Sequence, residues 1–155
     1  MACVSGSQFL TEEGKTRVLQ TEFIISTQGP GLYEFTSGIR DWLAPSGRDG
    51  LLTLFVRHTS CSLAIQENAD PEVRTDLQAF FERLVPPADD PSMAYLRHTY
   101  EGPDDMPAHI KAALLPVSLG IPVAAGVPML GTWQGVYLFE HRTQSHNRRV
   151  AAHFA

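Results

Sequence analysis

Apolar positions along the chain recur at two spacings, one typical of strands and one typical of helices. Short runs in which apolar residues alternate with polar ones, or follow one another directly, indicate β-strands. They predict strands at Thr16–Thr27, Leu32–Phe35, Leu51–His58, Cys61–Gln66, Tyr95–Tyr100, Val117–Val123, Met129–Thr132, Gln134–His141 and Arg148–Phe154. Many short strands with two to three helices predict an α+β domain with a mixed or antiparallel sheet, in up to two layers.

The clearest helix is predicted at Glu72–Leu84. Its apolar residues follow helical spacing and form one stripe, made of Val73, Leu77, Phe80, Phe81 and Leu84. Asp70–Pro71 is typical of a helix start, because a short acceptor caps free amides and proline suits the first turn. Two shorter helices are predicted, one capped by Thr36 and one at Pro107–Leu115.

Composition narrows the class of protein. The chain has 155 residues, 43% of them hydrophobic, and no linker or low-complexity segment, which predicts one domain over residues 1–155. The formal charge of −5 disfavours nucleic-acid and membrane-surface partners, because both need a basic face. A basic cluster at Arg142, Arg148 and Arg149 is interpreted as solvated surface.

The expected location is the cytoplasm. No window approaches the roughly 18 apolar residues that a membrane span needs, and the N-terminus lacks the basic and apolar regions of a signal peptide. Cys3 and Cys61 are therefore expected to stay reduced. The chain contains no phosphate-binding P-loop, no Gly-x-Gly-x-x-Gly and no Cys-x-x-Cys, so no nucleotide cofactor is expected.

An apolar run that ends in histidine occurs twice, and a third time in a looser form. Phe55–Thr59 and Tyr95–Thr99 both carry the sequence Arg-His-Thr after two apolar residues, and Leu138–Thr143 is the looser copy. If these strands share one sheet, their histidines gather at one edge of it. A further histidine, His109, lies near the start of the second helix.

Imidazole suits two kinds of site near neutral pH. One is a centre for zinc or another divalent ion such as magnesium. Its candidate ligands are His58, His98 and His109, with Glu67, Glu101 or Asp104 as the acidic partner. Protonated histidines near a helix N-terminus would instead bind a phosphate. A third interpretation is that the histidines are hydrogen-bonded strand ends or surface residues, and spacing alone does not decide, since no His-x-x-x-His pair is present.

Ser60 and Ser62 share a predicted strand face with His58, which places hydroxyls beside a base. Adjacent strand residues point to opposite faces, so Cys61 points away from them and is interpreted as a core cysteine. The chain has no Gly-x-Ser-x-Gly turn. Nucleophilic catalysis is therefore the less favoured interpretation.

Two further polar groups follow or precede strands. Glu67 and Asn68 lie at a strand end. The turn there needs only one capping residue, and Asp70 supplies it, so Glu67 and Asn68 remain candidates for a functional role. In Gly131–Gly135, Trp133 would stack on a planar heterocycle, with hydrogen bonds from Thr132 and Gln134. The alternative is a core or subunit-interface tryptophan.

These motifs together resemble the YjbQ family of small proteins. The resemblance is carried by His58–Cys61, Glu67–Pro71, Asp105–Lys111 and Leu130–Tyr137, and it extends from about Leu19 to Val150. It implies a compact α+β fold of β-sandwich character, assembled as a homotrimer. It also implies a weak, secondary thiamin-phosphate synthase activity, which joins hydroxymethylpyrimidine diphosphate to a thiazole phosphate and releases pyrophosphate.

The resemblance also implies site residues. His58, His98 and His109 look like the clustered histidines of the family. Its acidic and amide positions are matched by Glu67, Asn68, Asp70, Glu101 and Asp105. Two departures affect the local shape of the site: Pro116 stands where a glycine is usual, and Ala124–Pro128 is more apolar than the usual turn.

The leading hypothesis is an enzyme that binds a metal or phosphate and transfers a group, because a departing diphosphate needs cationic stabilisation. The candidate catalytic residues are His58, Glu67 and Glu101. The candidate substrate-binding residues are Ser60, Asn68, Asp70, Thr132, Trp133 and Gln134. The expected partners are further copies of the chain and a small phosphorylated or heterocyclic ligand. The alternatives are a non-catalytic oligomeric ligand- or metal-binding protein and a metal-dependent hydrolase.

Overall fold

The computed structural model describes residues 18–155 and, for residues 3–5, the backbone alone. The strands are β1 (Cys3–Ser5), β2 (Leu19–Thr27), β3 (Gly31–Glu34), β4 (Gly50–Val56), β5 (Cys61–Glu67), β6 (Ser118–Ala124), β7 (Val127–Pro128), β8 (Gln134–Glu140) and β9 (His146–Phe154). The helices are α1 (Thr36–Leu43), α2 (Pro71–Leu84) and α3 (Asp105–Leu114), with 3-10 turns at Ala44–Ser46 and Pro91–Met93. Thr16, where the first strand was predicted to start, and the side chain of Cys3 lie outside these described parts.

The strands form two antiparallel sheets. One has six strands in the order β1-β2-β9-β4-β6-β7, and the other has three in the order β3-β8-β5. The longest pairing joins β2 to β9 from Leu19 opposite Phe154 to Thr27 opposite His146. The predicted α+β class with an antiparallel, sandwich-like arrangement is confirmed. No helix within residues 18–155 combines the length and the apolar character that crossing a membrane demands.

The core lies between the two sheets and is closed by α1. Alternate residues of β4, namely Leu52, Leu54 and Val56, point inward, as period-two patterning requires. Strand β8 is buried along almost its whole length because it is covered on both faces, which explains its continuous apolar run. On the face away from the core, Phe139 meets Phe81 of α2 edge-on, with ring centroids 5.6 Å apart.

Helix α2 begins as predicted but is less buried than its stripe suggested. Asp70 accepts a hydrogen bond from the amide of Glu72 at 2.8 Å, which confirms it as the cap. Phe80 and Leu84 are more than half exposed, so only part of the stripe packs on the sheet. Thr36 does not cap α1 with its side chain, because its hydroxyl accepts a hydrogen bond from the amide of Val136.

Two predicted strands are wrong. Tyr95–Tyr100 is irregular backbone that follows a 3-10 turn, with the Leu96 amide bonded to the Met93 carbonyl at 3.0 Å. Its tyrosines are 71% and 83% exposed, so the segment lacks the buried face that a strand in this fold presents. Met129–Thr132 is also outside the sheet, because the pairing to β6 ends at Pro128.

A buried ion pair closes one end of the sandwich. Glu140, at the end of β8, is fully buried and accepts two hydrogen bonds of 2.6 Å from the guanidinium of Arg148 on β9. It also accepts from the hydroxyl of Thr27 on β2 and from the amides of His141 and Arg142. The interpretation of Arg148 as solvated surface was therefore wrong, because this carboxylate draws it into the core.

Two opposing effects set the pKa of Glu140. Burial alone would raise it, but the hydrogen bonds from Arg148, the Arg142 amide and Thr27 outweigh burial, so the pKa lies below its ordinary value of 4.5. The carboxylate is thus charged when the chain is folded. Its contribution to stability is present above pH 4.5 and is lost as the pH falls through the lowered, folded-state pKa.

Glu140→Gln should lower the free energy of unfolding by about 3–5 kcal/mol, because it leaves the Arg148 charge buried without a counter-ion. The measurement is urea denaturation at pH 7. The matched control is Glu22→Gln, whose partners Arg57 and Arg149 are both more than half exposed, and which should cost no more than about 1 kcal/mol. Equal losses in the two variants would contradict the role given to the buried pair.

Candidate functional site

Three side chains with metal-binding atoms converge at the start of α3. Nε2 of His98 lies 2.8 Å from Oδ2 of Asp105, and Nε2 of His109 lies 3.4 Å from the same oxygen. The ligand atoms of all three side chains lie within 4.8 Å of one another. Among the described residues this is the one group of three such side chains, so His98, Asp105 and His109 form the candidate centre.

The local sequence explains this convergence. Asp105 and His109 are four residues apart on α3, so they share one face of the helix. His98 arrives from the irregular segment before the helix. The turn between them needs Gly102, whose φ of +104° favours glycine, and it closes with the Asp105 amide bonded to the Gly102 carbonyl.

Arg142 holds the acidic side of the centre in place. Its Nε donates to Asp104 at 3.0 Å, its Nη1 donates to Oδ1 of Asp105, and its Nη2 donates to the carbonyl of Glu101 at 3.0 Å. Oδ1 of Asp105 is thereby occupied, which directs Oδ2 toward the histidines. A buried carboxylate fixed in this way is a pre-oriented ligand.

The other ring nitrogen of His109, Nδ1, is also hydrogen-bonded. Nδ1 lies 2.9 Å from the carbonyl of Thr59, so it carries a proton and donates it. Nε2 then faces the carboxylate of Asp105 with a lone pair unless it is also protonated. Two lone pairs repel, so a proton or a cation belongs between them. Nδ1 bonded to a carbonyl is the usual second-shell arrangement of a histidine that binds a metal through Nε2.

The donor set suits zinc better than magnesium. Two imidazole nitrogens and one carboxylate oxygen are ligands that zinc accepts, whereas magnesium prefers oxygen ligands in an octahedron. Tetrahedral ligands at zinc–ligand distances of 2.0–2.1 Å are about 3.3 Å apart. The 3.4 Å between Nε2 of His109 and Oδ2 of Asp105 is close to that value, whereas the 2.8 Å from Nε2 of His98 is a hydrogen-bond distance. Three protein ligands would leave one position open.

His58 does not join this group, although its strand end lies beside it. Its Nε2 accepts a hydrogen bond of 2.8 Å from the backbone amide of Arg149, so this lone pair is already used. Burial, followed by the nearby charge of Arg148, lowers the pKa of His58. The neutral imidazole is therefore favoured. Ser60, two residues later, is buried.

Glu101 lies in the loop that carries the centre. Its carbonyl accepts from Arg142, and its side chain is exposed. It is four residues before Asp105 in the chain, but it is not one of the three converging ligands. Its predicted role as a base or ligand stays a prediction.

The other predicted substrate residues lie together at the far end of β5. The amide of Asn68 donates to the carbonyl of Trp133 at 2.9 Å, and its side chain donates to Glu34 at 3.3 Å. The members of this second group, called the tryptophan loop below, are Glu67, Asn68, Asp70, Thr132, Trp133 and Gln134. Because β5 runs between the two groups, the tryptophan loop is roughly 20 Å from the histidines.

Trp133 is 64% exposed, so its interpretation as a core residue was wrong. Gln134 is held locally, since its Oε1 accepts from the Gly131 amide at 2.8 Å. The indole is therefore presented on the surface by a short, hydrogen-bonded turn. In this position the indole is accessible both to a ligand that stacks on it and to another subunit that packs against it.

Sequence reasoning missed two roles in the third histidine run. His141 is buried, its Nε2 is 2.8 Å from the hydroxyl of Ser62, and burial lowers its pKa to about 3. Ser62 is thus paired with a buried neutral imidazole, not with His58. The role of Arg142 in holding Asp105 was also missed. The available signal was the order of residues: arginine precedes histidine in the first two runs, whereas Arg142 follows His141 in the third.

Comparisons with known proteins agree with the motifs. A family model described as UPF0047 protein YjbQ-like matches residues 21–155. The UPF0047 protein sll1880 of Synechocystis is 53% identical over 135 residues, which are 86% of this chain and 89% of that protein. The UPF0047 protein YjbQ of Escherichia coli O157:H7 is 43% identical over 86% of this chain and 94% of its own.

Solved structures agree as well. The conserved hypothetical protein TT1486 from Thermus thermophilus matches with a TM-score of 0.74 and 31% identity, over 86% of this chain and 98% of that chain. A protein of the YjbQ/UPF0047 family from Clostridium acetobutylicum matches with a TM-score of 0.74 and 30% identity, over 86% and 98%. The predicted resemblance is confirmed, and the chain belongs to the YjbQ-like UPF0047 family.

Proposed function

We propose that the protein is a metal-dependent enzyme that acts on a small phosphorylated compound at the His98–Asp105–His109 centre. The observation that supports this proposal is that the other polar atom of two ligand side chains, His109 and Asp105, is already hydrogen-bonded. Nδ1 of His109 donates to Thr59, and Oδ1 of Asp105 accepts from Arg142, so Nε2 and Oδ2 are left facing each other. Hydrogen bonds of this kind, behind the ligand atoms, are the arrangement by which proteins orient metal-binding histidines and carboxylates.

The centre would be suited to a leaving group that gains negative charge. A divalent ion held by the three side chains would supply positive charge to the site. The chain's own part is to keep the ligands fixed, since preorganised charge needs no rearrangement during reaction. Arg142 does this for Asp105, and the buried Glu140 in turn holds the amide of Arg142.

The reaction that we propose is the one that the family resemblance implies, a thiamin-phosphate synthase activity. A new bond joins the thiazole nitrogen to the methylene carbon of hydroxymethylpyrimidine diphosphate, and the bond from that carbon to the diphosphate oxygen breaks. Pyrophosphate leaves with the electron pair. The tryptophan loop would bind one heterocycle, with Trp133 stacked on it, because an exposed indole offers a planar apolar surface.

Self-association would bring the two groups together. Within one chain they are roughly 20 Å apart, at opposite ends of β5. A homotrimer would allow the tryptophan loop of one chain to reach the histidines of the next. The outward face of the six-stranded sheet supports association, because Leu51 and Phe55 are about half exposed there, with Pro122 and Ala151 opposite them on the neighbouring strands.

Removing either histidine should strongly weaken metal binding. His98→Ala and His109→Ala are each expected to weaken zinc affinity by more than roughly 100-fold, since loss of a ligand costs more than loss of a second-shell group. The readouts are zinc content by mass spectrometry and zinc titration by calorimetry. The control is His153→Ala, whose imidazole contacts Gln20 on β2 and should not affect zinc. An untagged wild-type protein that binds no divalent ion would refute the centre.

The activity has its own test. Wild-type protein supplied with hydroxymethylpyrimidine diphosphate and thiazole phosphate should form thiamin phosphate and pyrophosphate in equal amounts. The rate should fall at least about tenfold after chelation or in Asp105→Asn, because the charge at the reacting centre is lost. Release of phosphate from simple phosphate esters without the coupled product would favour the hydrolase. Tight metal binding with no turnover would favour the binding protein.

Assembly can be tested separately. Light scattering should give three times the 17.1 kDa chain mass. Phe55→Glu should shift this mass toward the monomer, because a charge would be buried in the interface. Phe80→Glu, on the exposed part of α2, is the control and should leave the mass unchanged. A wild-type monomer at micromolar concentration would contradict the trimer, as would activity per chain that is independent of dilution.

A further inference from the structure

A small cavity lies on the other side of α3 from the metal-binding residues. Its volume is about 200 Å³, and it is bounded by the end of α2, by α3 and by the residues after β8. Its apolar wall includes Val85, Pro87 and Pro107. Its charged and polar wall is formed by Glu82, Asp104, Lys111, His141 and Thr143. The cavity shares none of the three converging ligands, so it is separate from the proposed metal centre.

Lys111 is the unusual member of this wall. It is only 8% exposed, and no carboxylate oxygen of the described residues lies within 4.0 Å of its ammonium group. No hydrogen bond to it occurs within residues 18–155 either. The residue is largely buried, but its ammonium nitrogen keeps some exposure, because no fully buried side-chain nitrogen or oxygen of the described residues lacks a hydrogen-bond partner. A largely buried lysine with no carboxylate in contact is uncommon.

The charged groups around Lys111 do not neutralise it by contact. Asp104 is occupied by Arg142 and by the amide and hydroxyl of Thr143. Glu82, an exposed residue at the edge of the cavity, accepts a hydrogen bond from Gln78 of the same helix. His141 is neutral and bonded to Ser62. The positive charge is therefore left facing a mainly apolar space.

The composition of the chain makes this position distinctive. Only two of its twelve cationic residues, Lys15 and Lys111, are lysines, and the other ten are arginines. Lysine carries a compact point charge on a flexible stem, whereas the broad guanidinium of arginine favours surface and bidentate contacts. The buried cationic position in this cavity is thus occupied by the residue that can pair with one small anionic group.

We propose that this cavity binds a small monocarboxylate with an apolar body, whose carboxylate pairs with the ammonium group of Lys111. The ligand carries one negative charge, because Asp104 and Glu82 would repel a second. It is apolar beyond the carboxylate, because Val85, Pro87 and Pro107 line the rest of the space. It is small, because ligand sites for larger molecules span about 300–1,000 Å³.

The geometry of α3 keeps this site apart from the metal centre. Residues on a helix turn by about 100° each, so Lys111 points roughly 200° away from His109. One helix thus carries a histidine site on one face and an ammonium site on the other. The inference goes beyond the proposed enzyme activity and does not depend on it.

Benzoate and its neutral isostere benzamide are the probes. Calorimetric titration should show benzoate binding at least about tenfold more tightly than benzamide, because only benzoate can pair with the ammonium group. Lys111→Met, which keeps the length and removes the charge, should lose that preference. It is expected to fold, since an apolar chain replaces a buried unpaired charge. Arg83→Met, an exposed cation near the cavity, should behave like wild type.

The same titration in His98→Ala separates the two sites. Benzoate binding should survive there, whereas zinc binding should be lost. Wild-type protein that binds benzoate and benzamide equally, or binds neither, would overturn the proposal without using any variant. An unchanged preference in folded Lys111→Met would overturn it too. Loss of benzoate binding in His98→Ala would place the carboxylate at the metal centre instead.

Discussion

The buried pair between Glu140 and Arg148 is the constraint on which the site depends. A carboxylate with no exposure must be fully hydrogen-bonded, and Glu140 satisfies this with groups from β2, from β9 and from the two residues that follow β8. Two of its bonds come from the amides of His141 and Arg142. The direction in which the chain leaves β8 is therefore fixed by an interaction inside the core, and Arg142 is delivered from a rigid point.

Arg142 in turn fixes the candidate centre. Arg142 joins the side chains of Asp104 and Asp105 to the carbonyl of Glu101, so one guanidinium holds both the loop and the first turn of α3. Asp105 is left with one free oxygen, and the histidines meet it there. The precision of the centre thus comes from the sandwich core and not from the irregular segment that supplies His98.

Helix α3 has different chemistry on its two sides. Asp105 and His109 face the histidine centre, while Lys111 faces an apolar cavity with no contacting counter-ion. Both sides are reached by residues after β8, since Arg142 contacts the first and His141 lines the second. The protein therefore concentrates its polar chemistry at one end of the sandwich, and the exposed tryptophan loop stands alone at the other end of β5.

The amino-acid pattern by itself determined the strands with a buried face, the helix capped by Asp70 and the family, because alternation, capping and motif residues are local properties. It also identified His98 and His109. It failed for Tyr95–Tyr100, where an apolar run has no partner strand, and for Arg148, whose partner is eight residues away on another strand. Only the tertiary structure decided that His58 turns to the amide of Arg149, that Arg142 orients Asp105 and that the largely buried Lys111 has no carboxylate in contact. These facts depend on which elements pack together, and the spacing of residues along a chain does not specify the direction of a side chain between elements that are distant in sequence.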